Sequence, residues 1–121
     1  MRTFSDFWPY YLREHSQPGT RALHYIGTTG TAMFLIASVA LLRPSLVLAA
    51  AACGYSFAWV GHFFVERNKP ATFKYPRWSF AADWCMWVLA LTGRLGPHLE
   101  RALSEGAMQP APAPLESSAP R

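Results

Sequence analysis

A chain of 121 residues has room for one domain, and here 51% of residues are hydrophobic and 15% aromatic while only 15% carry charge. That is too little charge for an ordinary soluble surface, and five Trp, five Tyr and eight Phe exceed what a small soluble core buries. The formal net charge of +4 comes from scattered basic residues, which excludes a basic nucleic-acid-binding face and suits contact with an anionic lipid leaflet.

In chain order, the first residues hold Asp6 and no uncharged apolar run, so no cleaved signal peptide is expected. Residues 4–15 read as a short helix capped by Ser5, with Pro9 in its first turn. Phe4, Phe7, Trp8, Tyr11 and His15 recur on one side of it, as in a helix lying in a membrane interface. Gln17-Pro18-Gly19 turns the chain into a first uncharged span, expected over 24–42. Arg43-Pro44 breaks that run, and SLVLAAAACGYSFAWVGHFFV supplies a second span over 45–65. Each has the length of a membrane-crossing helix, and the break ending in proline suits a tight turn between two antiparallel ones. The segment 68–78 is polar and loop-like. Ser79 is expected to cap a helix over 79–92, ending at Gly93, whose apolar run is too short to cross. A short surface helix is expected from Pro97 to Glu105, and the Pro/Ala-rich stretch 106–121 reads as a disordered tail.

The predicted fold class is therefore all-α membrane protein: a two-helix transmembrane hairpin with flanking interfacial helices, in one domain over 1–105. Arg13, Arg21, Arg67, Lys69, Lys74 and Arg77 lie at the ends away from the connecting turn, which offers only Arg43. Positive residues stay inside, so an integral membrane protein with both termini in the cytoplasm is expected, in the inner membrane if the cell is bacterial.

His24 opens the first span and His62 lies near the end of the second, so arms of similar length bring both rings to the same depth. Ala50, Gly54 and Ala58 step by four towards His62, while Gly27, Thr28 and Thr31 follow His24; small residues on facing sides let membrane helices approach closely. His15 and Glu66 are near enough in sequence to join, giving a cluster of His15, His24, His62 and Glu66. Histidines often only hydrogen-bond neighbouring membrane helices together, and that bland role stays open. Ionisable groups at membrane depth are nonetheless costly, and imidazoles with a carboxylate suit a borderline metal such as iron. Arg67, Lys69 and Lys74 either anchor the hairpin at the headgroups or hold a substrate carboxylate. Asp83 is expected to pair with Lys74 or Arg77 or to support a helix cap. His98 reads as a surface residue, and Trp78, Trp84 and Trp87 as an interface belt. Cys53 and Cys85 lack metal or redox spacing and read as small apolar residues. There is no nucleophile arrangement, phosphate loop or dinucleotide fingerprint.

The stretches YLREHSQPGTRALHYIGT and GYSFAWVGHFFVERNKPATFKYPRWSFAADWCMW resemble the 2-hydroxy-fatty-acid dioxygenase-like family of small membrane proteins, from about Phe7 to Leu95. The resemblance is carried by the spacing of His15, Pro18 and His24 and by the pattern of Gly61, His62, Glu66, Pro70 and Ala71. It implies a ferrous-iron enzyme that uses O2 to shorten a 2-hydroxy fatty acid by one carbon, in α-oxidation. It also implies Fe(2+) on His15, His24 and His62, with Glu66 either a ligand or an acceptor for a ligand ring N–H. Family members often carry asparagines where this chain has Gln17 and Thr20. Longer members have further membrane segments between the two motifs, which puts the acyl-chain pocket of this short form in question. The non-catalytic alternative is a small structural or self-associating membrane protein with a histidine-lined helix interface. Haem held by two histidines is a third reading, and the resemblance counts against it.

Overall fold

The computed structural model describes residues 1–108; the remainder of the expected tail lies outside the described residues. Among the described residues there are five α-helices and no strand.

Helix α1 spans Phe4–Arg13. Its cap is Thr3, not Ser5: extended at the helix entrance, Thr3 accepts the Asp6 N–H on its hydroxyl, the geometry an N-cap needs. Pro9 consequently falls in the helix interior, where it cannot donate to the Ser5 carbonyl. Helix α2 spans Pro18–Ala40, starting well before His24 because Pro18 occupies the first turn, where a missing N–H costs nothing. Helix α3 spans Leu46–Val60 and continues as one wider π-type turn, Gly61–Glu66.

The two long helices form a closely packed hairpin. A Cβ added to Gly27 would meet the Phe57 Cβ at 3.0 Å and the Gly54 carbonyl at 3.1 Å, so the helices touch backbone to backbone there. Thr31 donates its hydroxyl to the Ala50 carbonyl at 2.8 Å and ties the same seam. The outer faces are apolar and open: Ile36, Val39 and Leu48 are 69, 76 and 75% exposed. Both arms are long and apolar enough to cross a membrane.

A short 3-10 turn, Ala71–Phe73, leads into helix α4, Pro76–Leu91, and Gly93 (φ +70) turns the chain into helix α5, Leu95–Met108. Ser79 is not a cap; α4 begins at Pro76, and Ser79 is buried within it. Helix α5 is longer than the expected 97–105. It packs with α4 on α1 around a core of Phe7, Tyr11, Leu12, Ala82, Met86, Leu95 and Ala102. The aromatic side of α1, expected to lie on lipid, is thus covered by protein. Trp87 donates its indole N–H to Thr29 Oγ1 at 3.0 Å and joins this cap to α2.

Candidate metal centre

His15 lies in the link after α1, His24 near the start of α2, and His62 in the π-type turn that ends the second arm. The hairpin and the returning link bring them together. Their ring centroids lie 4.4 Å (His15–His24), 4.5 Å (His15–His62) and 5.0 Å (His24–His62) apart, and all three are buried. One nitrogen from each lies within 4.8 Å of the others. Two close approaches make the junction fit. Gly61 faces Thr20, whose Cγ2 would be 3.2 Å from an added Cβ, and Arg21 donates to the His15 and Ser16 carbonyls at 2.8 Å each, pinning the link.

The protons of the rings follow from their partners. His15 Nδ1 faces the Tyr11 carbonyl at 2.6 Å and His24 Nδ1 faces the Thr20 carbonyl at 3.0 Å; a carbonyl only accepts, so each Nδ1 carries the hydrogen. His62 Nδ1 lies 2.8 Å from Asn68 Oδ1. The Asn68 amide cannot be reversed, because its NH2 donates to the Glu14 carbonyl at 3.0 Å and to the Glu14 carboxylate at 2.7 Å. Three Nε2 lone pairs are therefore left turned inward. Burial, reinforced by the two neighbouring imidazoles, holds His15 well below the ordinary histidine range, so it is neutral at pH 7.

His15 Nε2 and His24 Nε2 are 3.0 Å apart with no hydrogen to share between them. Two buried acceptors facing each other at that distance are an unsatisfied pair that a cation resolves. The residues present therefore fit a metal of the borderline class that imidazole prefers, and three protein donors leave positions for further ligands. Each ring is oriented by an acceptor on its far nitrogen, the usual support of a metal-bound histidine.

Among the described residues no carboxylate joins this group. Glu66 instead accepts from Ser16 Oγ at 3.1 Å and from the Gln17 N–H, so it clasps the link that carries His15. The wider π-type turn rotates it off the line set by Ala50, Gly54, Ala58 and His62. Arg67, Lys69 and Lys74 are exposed at the same end of the hairpin, and none lines the cavity at the histidines.

That cavity, of about 340 Å³, starts at Tyr11, His15, His24 and His62 and runs along the hairpin past Thr31 and Gly54 to Leu35 and Val47. Its far wall is α4, which contributes Ser79, Phe80, Asp83 and Trp84. Asp83 pairs with neither Lys74 nor Arg77: its Oδ1 accepts from the Tyr11 hydroxyl, across the cap. Burial pushes the Asp83 carboxyl up to about 6 and, with Asp83 alongside, raises Tyr11 well above the usual phenol range. Ser79 Oγ and Thr20 Oγ1 are buried without a partner. The sequence reading missed Asn68, Tyr11, Ser79 and Asp83. A signal for the last existed, since Asp83 is a lone acid in an apolar helix with Ser79 and Trp87, not a cation, one turn to either side.

Fold and site together define a small α-helical protein that gathers three histidines at one end of a largely apolar cavity. The chain belongs to the family described as 2-hydroxy-palmitic acid dioxygenase Mpo1-like, whose model matches residues 1–95, as the two histidine motifs led us to expect. No curated protein and no solved structure matches the chain.

Proposed function

We propose that this protein is an integral membrane, Fe(II)-dependent dioxygenase that shortens 2-hydroxy fatty acids by one carbon. The observation that carries the reading is the meeting of three inward-facing Nε2 atoms with one end of a long apolar cavity. The family's description supplies the substrate class and a dioxygenase reaction. Exposed apolar faces on both long helices support the membrane setting, and the basic residues at the histidine end support cytoplasmic termini.

His15, His24 and His62 would hold the iron. When bound, Fe(II) supplies the redox chemistry that activates O2 and a Lewis-acidic seat for the carboxylate. The Tyr11 and Thr20 carbonyls and Asn68 keep the three rings aimed. Glu66 acts by fixing the His15 link through Ser16 and Gln17. Arg67, Lys69 and Lys74, exposed at the histidine end of the hairpin, draw the acid's carboxylate towards that end. The tail lies along the hairpin: from His24 to Leu35 the cavity follows α2 for about 16 Å at roughly 1.5 Å per residue. A cavity of about 340 Å³ falls within the roughly 300–1,000 Å³ of small-molecule sites. Helix α4 covers one side of the cavity through Ser79, Phe80, Asp83 and Trp84, so this short chain lines an apolar pocket with its own residues.

The test is to load purified protein with Fe(II) anaerobically, add 2-hydroxyhexadecanoic acid, and admit O2. The expected product is a fatty acid one carbon shorter, formed by wild type and lost in His24→Ala. Absence of that product from iron-loaded wild type would contradict the reading.

A further inference from the structure

Beyond the histidines, the hairpin lines the cavity mostly with apolar or small side chains, with Tyr55 and two threonines among them, and α4 adds a polar edge. Ser79 and Asp83 are one helical turn apart, so they share a face, and both line the cavity that the three histidines line. Ser79 is 2% exposed and its hydroxyl has no hydrogen-bond partner. Burying a hydroxyl unpaired is costly, and a native site tolerates this where a ligand completes it. Asp83 is engaged on one side only: Tyr11 donates to Oδ1, and among the described residues nothing donates to Oδ2. Tyr11 also orients His15, through its carbonyl and through a ring stacked at 4.1 Å. One residue thus fixes both the acid on α4 and a ring of the histidine group.

Building on the function proposed above, we infer that Ser79 and Asp83 form the subsite that recognises the 2-hydroxyl of the substrate and selects hydroxylated over plain fatty acids. The substrate hydroxyl donates to Asp83 Oδ2 and accepts from the Ser79 hydroxyl, which completes the two unfinished hydrogen-bonding groups. A substrate carboxylate cannot take that place, because two like charges in a low-dielectric cavity repel, so it is left to the histidine side. With a carboxyl at about 6, Asp83 is mostly ionised at neutral pH and so a strong acceptor for the hydroxyl. Hydrophobic walls alone discriminate weakly against a missing hydroxyl. A site that must hydrogen-bond one rejects the analogue lacking it far more strongly, because its own polar groups are then left unpaired.

The experiment compares binding of 2-hydroxyhexadecanoic and hexadecanoic acids to the full chain in lipid nanodiscs, read by the fluorescence of Trp59 and Trp84, which line the cavity. Wild type, Asp83→Asn and Ser79→Ala are measured, with metal content and helicity recorded for each. Wild type is expected to prefer the hydroxy acid. Asp83→Asn is expected to weaken that acid roughly 10- to 100-fold, leaving plain acid binding and metal content unchanged. Ser79→Ala, a smaller change that carries the test if Asp83→Asn does not fold, is expected to lose roughly 3- to 10-fold in the same selective way. Should wild type prefer the hydroxy acid and both variants keep its full preference, the subsite is overturned while the proposed function stands. A wild type that does not distinguish the two acids also overturns the subsite, whereas the proposed function is overturned by the absence of the shortened product.

Discussion

Asn68 has both ends of its amide engaged: it accepts from His62 and donates twice to Glu14. Asn68→Ala frees the His62 ring and removes the acceptor that fixes its tautomer. Metal affinity measured against a competing chelator is expected to fall about 10- to 100-fold, as for other lost partners of metal-bound histidines. An unchanged affinity would mean that His62 does not contribute. Asp83 makes a prediction of its own. Its folded value is near 6 against an ordinary 3.8, so the folded protein holds the proton more tightly than the unfolded chain. The stability it contributes is complete below about pH 3.8 and is lost as pH rises through about 6. Relative to Asp83→Asn, wild type should therefore gain stability on acidification from pH 8 to pH 4, by on the order of 3 kcal/mol. A difference between the two proteins that does not vary with pH would place Asp83 in water. The histidines were legible in the sequence because covalent spacing on two equal arms fixes their depth. Asp83 was not, because its partner Tyr11 is 72 residues away in the chain and no helical spacing connects them.

At the scale of elements, the hairpin seam and its outer faces should respond oppositely to substitution. Gly27→Leu forces a side chain against Phe57 and the Gly54 backbone, and is expected to lower stability by about 1–3 kcal/mol or more. Leu48→Ala, on an open face, should change it by less than about 0.5 kcal/mol in detergent micelles, since nothing in the protein packs there. Thermal unfolding in detergent reads both; equal effects would mean that Leu48 is buried against a neighbour. The two long helices were plain from composition, because an apolar run of that length suits a helix rather than a strand. The element starts were not. Pro18 and Pro76 look like turn residues in sequence, yet each sits in a first turn, where its fixed φ and missing N–H suit a helix. The burial of α1 was hidden for another reason. Its aromatic side would suit lipid or protein equally, and only the longer α5, folded back over it, decides for protein.

Across the whole molecule, one arrangement serves several needs: antiparallel arms set the depth of His24 and His62, the link from α1 delivers His15, and α4 roofs the cavity beside them. The proposed topology, with both termini on the cytoplasmic side, is checked by protease protection in sealed vesicles. Cleavage near both ends is expected from the cytoplasmic side only, and protection of one end would rule out a hairpin. Iron stoichiometry tests the three-histidine centre most directly. Wild type and the single variants His15→Ala, His24→Ala and His62→Ala are loaded with Fe(II) anaerobically, desalted and analysed for metal. About one iron per chain in wild type, and its loss in each variant, is the result expected. Full occupancy in the variants, or none in wild type, would contradict a metal centre built on these three rings.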